Sequence, residues 1–173
     1  MRCVLVNSGP LMALGKLNRL GLMADLYPEL RIPEAVYREV VTEGLARSMP
    51  EALTVKIFLE HCDLPIVGVS EAALSRYSPP IELGAGEREV LTLAQSLSGI
   101  QVLLDDEQAR REARRLGLAV KGTVGLLIEA YRSKLLSIGN LRLLFAEIAA
   151  RPDIWISAKL CQQALSVLEV EEG

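Results

Sequence analysis

Gln101-Val102-Leu103-Leu104-Asp105-Asp106-Glu107-Gln108-Ala109-Arg110-Arg111 is the stretch on which the fold turns. An apolar run breaks abruptly into two aspartates and then into a charged, helix-favouring segment. A short and uniformly apolar run suits a strand buried on both faces. Asp106 suits the N-cap of a helix from Glu107 to Leu116, and Gly117 suits its left-handed C′ position. Acidic groups at the carboxyl ends of parallel strands lie where α/β folds bind ligands and metals.

The same grammar extends in both directions. Cys3-Val4-Leu5-Val6 reads as a buried first strand, closed by the turn Asn7-Ser8-Gly9-Pro10. Pro10 suits a helix N-terminus, with Ser8 or Gly9 as cap. Leu11, Leu14 and Leu17 then form a helical stripe, and Leu20 to Leu26 a second short helix. Leu30-Arg31-Ile32 is a short strand. Pro33 opens a helix with Val36, Val40 and Val41 on its apolar face, Glu39 one step off it, and Gly44 at its end. Leu45 to Pro50 reads as loop, Glu51 to Cys62 as helix, Ile66 to Val69 as strand and Tyr77 to Pro80 as turn. Gly84 and Gly86 precede a helix from Glu87 to Leu97. Leu118 to Val120 is the last strand. Helices follow at Val124–Ser133, Leu141–Ala150 and Ala158–Leu168, with a fraying acidic tail from Glu169 to Gly173.

Strands alternating with helices across brief connections predict an α/β fold with a central parallel sheet. One domain is expected over 1–135, with a C-terminal helical extension over 136–173 packed on it. Leu141, Leu144, Phe145 and Ile148 form a stripe that could serve a homodimer interface, although intramolecular core is the commoner use.

Composition narrows the function. The chain has 173 residues, enough for a real core, and only 4% are aromatic, so that core is aliphatic. A net charge of −3 excludes a generally basic nucleic-acid binder, so any such affinity must be local. The densest basic cluster is Arg110, Arg111, Arg114 and Arg115. Its bland reading is a solvated helix face and its functional reading an RNA-backbone contact. Cys3, Cys62 and Cys161 form no metal or disulfide pattern, and His61 stands alone without a nucleophile elbow. No run approaches the ~20 apolar residues of a membrane span, and no signal peptide is evident. A cytoplasmic protein is expected.

The chemistry therefore rests on oxygen ligands. Asn7 and Asp105 end strands on one sheet edge, and Glu39 and Glu89 come from helices able to reach it. Such groups suit Mg²⁺ or Mn²⁺, which can lower the pKa of a bound water and offset charge on a phosphodiester. Bland readings stand beside each residue. Asp106 is a plain N-cap, Glu87 complements the helix dipole, Glu39 is solvated, and Glu107 pairs with Arg111. Gly84-Ala85-Gly86 lacks phosphate-loop spacing and reads as turn.

Taken together, five segments resemble the PIN-domain superfamily, in its branch of PIN-like prokaryotic proteins. They are Val6 to Leu11, Ile32 to Val40, Leu83 to Glu89, Leu103 to Asp106 with Ala109-Arg110, and Lys121 to Leu127. The resemblance implies a three-layer α/β/α sandwich and a Mg²⁺- or Mn²⁺-dependent ribonuclease site acting on single-stranded RNA. It also implies a possible toxin role with an antitoxin partner, and a possible homodimer. By residue, Asn7 matches the family's first acidic position, Glu39 the second, Glu89 the third with Glu87 as the register alternative, and Asp105 the fourth with Asp106 beside it. Ser8 and Thr123 are implied polar supports.

Two departures stand out. Asn7 carries no charge where Asp is common, and Gly9 replaces a frequent hydroxyl residue. The leading expectation is a metal-dependent endoribonuclease with Glu39, Glu89 and Asp105 as its catalytic ligands. The alternative is a catalytically weak module that binds nucleic acid or protein. A small-molecule α/β enzyme lacks any nucleotide motif.

Overall fold

The computed structural model describes residues 3–172, with side chains through 170. Five parallel strands form one sheet in the order β3-β2-β1-β4-β5. They are β1 (Val4–Val6), β2 (Leu30–Pro33), β3 (Ile66–Val67), β4 (Gln101–Leu103) and β5 (Ala119–Lys121). The three central strands are almost wholly buried, as their uniform apolar character requires. The edge strands β3 and β5 are more exposed.

The helices of this part are α1 (Ser8–Lys16), α2 (Gly21–Leu26), α3 (Glu34–Tyr37), α4 (Gly44–Ala46), α5 (Pro50–His61), α6 (Glu71–Arg76), α7 (Ala85–Gln95) and α8 (Glu107–Arg115). Between α3 and α4 lies a π-helical turn over Arg38–Glu43, so helical structure continues without a break from Glu34 to Ala46. Gly44 therefore does not end the helix, as its composition had implied. A Cβ there would lie 2.8 Å from the Ala52 methyl, so the glycine's role is close packing against α5.

Other boundaries shift for local reasons. Helix α1 starts at Ser8 with Asn7, not Ser8 or Gly9, in the N-cap position. The third strand stops at Val67, short of Val69. Helix α6 fills a stretch to which the sequence pattern assigned no element, and Ser70 caps it through Ala73 N–H. It is only six residues long and none of them is buried, so it carries no periodic signal.

The chain divides into two compact units, 1–122 and 123–173. The second contains α9 (Thr123–Arg132), α10 (Ile138–Ala150) and α11 (Ala158–Glu172), with α10 packed on α11 and both touching α9. Leu141, Leu144, Phe145 and Ile148 are buried. The acidic tail expected to fray is helical through Glu172, and Arg142 pairs with Glu169 at 2.9 Å; Gly173 lies outside the described residues. Among the described residues no helix is long and apolar enough to cross a membrane.

Candidate functional site

Asn7 leaves β1 at its carboxyl end, held to the sheet by its N–H donating to the Leu103 carbonyl at 3.0 Å. An asparagine at an N-cap ordinarily accepts from the N–H two or three residues on. Here the residue three on is Pro10, which has no N–H. The Asn7 side chain caps nothing. Its Oδ1 is buried without a hydrogen-bond partner, and the residue is only 6% exposed. A buried, unsatisfied oxygen costs free energy, so it marks either stored strain or a place for an ion.

Glu39 lies on the π-helical turn, which shifts the side chains after it out of α-helical register. Its carboxylate is held from two sides. Gly86 N–H donates to Oε1 at 2.9 Å, and the Ser8 hydroxyl donates to Oε2. A side chain at Gly86 would displace the Glu39 carboxylate. A Cβ there would lie 2.8 Å from Glu39 Oε2 and 3.0 Å from Asn7 Oδ1. The same observation places these two oxygens around one small space at the start of α7.

The two glutamates of α7 part company. Glu89 is buried, and its Oε2 accepts the Ala35 N–H at 2.7 Å, tying α7 to the first turn of α3. Glu87 accepts the Gly84 N–H at 2.9 Å. Burial pushes the Glu87 carboxyl above its usual range, the Gly84 hydrogen bond opposes this, and the charges of Asp106 and Glu39 raise it further. Glu87 is therefore the α7 carboxylate in electrostatic contact with Glu39, while Glu89 serves as a helix-to-helix strut.

Asp105 follows β4, and its side chain lies against two glycines. A Cβ on Gly9 would meet the Asp105 Cβ at 3.3 Å and Oδ2 at 3.5 Å. A Cβ on Gly122 would lie 2.9 Å from Oδ1 and against Arg110 Nη1. A side chain at position 9 would press on Asp105. Asp106 is an N-cap, accepting the Ala109 N–H at 2.9 Å.

The four arginines of α8 also separate. Arg110 donates from Nη1 to the Leu104 carbonyl at 3.1 Å, and its Nε lies 3.7 Å from Glu107. Arg111 and Arg114 sit outside, both 3.4 Å from the same Glu107 oxygen. Arg115 makes a two-pronged pair with buried Glu112 at 2.7 Å for each contact. Tyr77 adds its hydroxyl to Glu112 at 2.8 Å. Thr123 is fully buried at the first position of α9, in the second unit.

A family model described as a PIN domain matches residues 3–170, and the chain belongs to that family. No curated protein matches it.

PIN domains generally use divalent metal ions, so the donors need testing against one. Their chemistry fits: all are oxygens, suited to Mg²⁺ or Mn²⁺. The orphaned Asn7 Oδ1 beside Glu39 is the atom a cation would satisfy. The charge is sparse, however. Among the described residues no three Asp, Glu, His or Cys side chains converge as a metal-binding group. Asn7 is outside that set of residue types, and it supplies an oxygen without a charge.

The sequence pattern assigns Gly9 to a helix cap and Gly84 and Gly86 to a turn, and it does not show the packing role of the glycines at 9, 86 and 122. Their role is to leave room for side chains from distant segments, and no local pattern signals that.

Proposed function

We propose that this PIN-domain protein is a metal-dependent endoribonuclease acting on single-stranded RNA. Asn7, Glu39 and Asp105 would hold the ion, with Glu87 and Asp106 as flanking carboxylates. The observation that carries the reading is the buried Asn7 Oδ1, unpartnered next to a Glu39 carboxylate that Ser8 and Gly86 already hold in place. A divalent ion, when bound, offsets the charge of a phosphodiester under attack. The protein's own part is positional. Ser8 and Gly86 fix both Glu39 oxygens, Gly9 and Gly122 admit the Asp105 carboxylate, and Glu89 keeps α7 against α3 so that Gly86 stays in register. Glu89 thereby moves from the ligand set to a supporting role. Unrestrained cleavage of cellular RNA would suit the toxin of a toxin–antitoxin pair, with an antitoxin protein as its restraint.

A second reading is favoured by the neutral Asn7 and the absence of three convergent acidic groups among the described residues. On it, the fold binds nucleic acid or a protein partner with little turnover.

The deciding experiment is cleavage of a mixed-sequence single-stranded RNA in Mg²⁺, Mn²⁺ or EDTA, beside Asp105→Ala. The expected result is cutting that needs the metal and is lost in the variant. Silence of the wild-type chain in both metals would overturn the nuclease reading and favour the binding module.

A further inference from the structure

The arginine cluster on α8 carries an assignment that its sequence does not make. Arg111 and Arg114 are exposed on the outer face and share Glu107, and Arg115 is fixed to Glu112. Arg110 differs in place and in surroundings. Its side chain is 24% exposed, against 75% for Arg111 and 49% for Arg114. Its Nη1 is anchored on the carbonyl of Leu104, the residue that leads into Asp105. Nη1 and Asp105 Oδ1 both pack against Gly122, so closely that a Cβ there would clash with each of them. A planar guanidinium anchored by one nitrogen and one carbonyl keeps its orientation and presents its remaining N–H groups as a fork. Among the described residues Arg110 Nη2 has no protein acceptor.

We propose that Arg110 is a phosphate ligand of the candidate site, holding a phosphodiester of single-stranded RNA beside Asp105, while Arg111, Arg114 and Arg115 stay outside it. This rests on the ribonuclease reading above for its substrate, and on the side-chain geometry for its residue. The guanidinium neutralises phosphate charge from the protein side, a role that an exposed lysine could not fill with the same geometry.

The test compares wild type, Arg110→Gln, Arg110→Lys and the double variant Arg111→Gln/Arg114→Gln in the full chain. Binding of a fluorescein-labelled ten-nucleotide single-stranded RNA is read by anisotropy in Ca²⁺ over a range of salt. Single-turnover cleavage at saturating RNA is read in Mn²⁺, and thermal melting checks folding. Arg110→Gln should weaken binding about tenfold and lower the salt slope by about one. It should slow cleavage roughly 100-fold. Arg110→Lys keeps the charge but not the fork, and should weaken binding about threefold while slowing cleavage about tenfold. The outer double variant should leave the rate at saturation unchanged. Wild-type binding by a folded Arg110→Gln overturns the proposal, whatever happens to cleavage. If Arg110→Gln does not fold, wild-type binding and cleavage by Arg110→Lys overturn it instead. If the wild-type chain cuts no RNA, the ribonuclease reading fails, and the binding comparison still decides Arg110.

Discussion

Asn7 shows how one residue can be both a helix start and a candidate ligand. Its place at the helix start follows from the turn sequence, and Pro10 removes one of the two donors its side chain could cap. The freed oxygen is buried next to Glu39. Asn7→Asp adds a negative charge at this point, and Mn²⁺ affinity by calorimetry should rise on the order of tenfold or more. In EDTA the same variant should be less stable than wild type by about 1–2 kcal/mol, because a carboxylate is buried beside a carboxylate. Unchanged Mn²⁺ affinity would remove Asn7 from the site.

Helix α8 and the segment before α7 illustrate how elements are tied. Glu112 reads in the sequence as one more charge on a charged helix, yet it is buried and receives Tyr77 and both prongs of Arg115. Arg88 on α7 adds contacts to the carbonyls of Leu74 at 2.9 Å and Tyr77 at 3.3 Å. These bonds fix the Tyr77 end of the proline-containing connection that leads to Gly84 and Glu87. Tyr77→Phe should cost about 1 kcal/mol in urea unfolding, the worth of one hydrogen bond whose acceptor keeps its other partner. A loss below about 0.3 kcal/mol would show that Arg115 alone satisfies Glu112. The π-helical turn is the other element that matters, since it sets where Glu39 points.

For the whole molecule, stability should depend on pH from both sides, with Glu87, raised by burial, acting against Glu112 in the acid range. Glu112 is held below the usual glutamate range, first by the Arg115 hydrogen bonds against the opposing effect of burial, and then by Tyr77. Its contribution is present above the ordinary carboxylate value and is lost as pH falls through the lowered one. Burial pushes the Tyr77 phenol and the Cys161 thiol up, and Glu112 raises Tyr77 further. Groups kept neutral in the fold but ionised in the unfolded chain make stability fall as pH rises through their ordinary values. Urea unfolding across pH should therefore peak between these limits. Glu112→Gln should flatten the acid side, and Tyr77→Phe should flatten the side above about pH 10. An acid side identical in wild type and Glu112→Gln would refute the Glu112 assignment.

The parallel sheet was legible because its strands are short, apolar and separated by helical periods, a pattern that burial on both faces imposes. The Asp106 cap and the Glu107–Arg111 pair were legible because their partners lie within one helical turn. The choice between Glu87 and Glu89 was not. Both precede the same apolar run, and only the approach of α3 gives Glu89 the Ala35 N–H and leaves Glu87 near Glu39 and Asp106. The division among the arginines was hidden for the same reason, since Arg110 and Arg111 are neighbours in sequence but face different surroundings. Local pattern reports which face of an element is apolar. Which polar group meets which depends on segments tens of residues apart, and the glycines at 9, 86 and 122 act only where those segments meet.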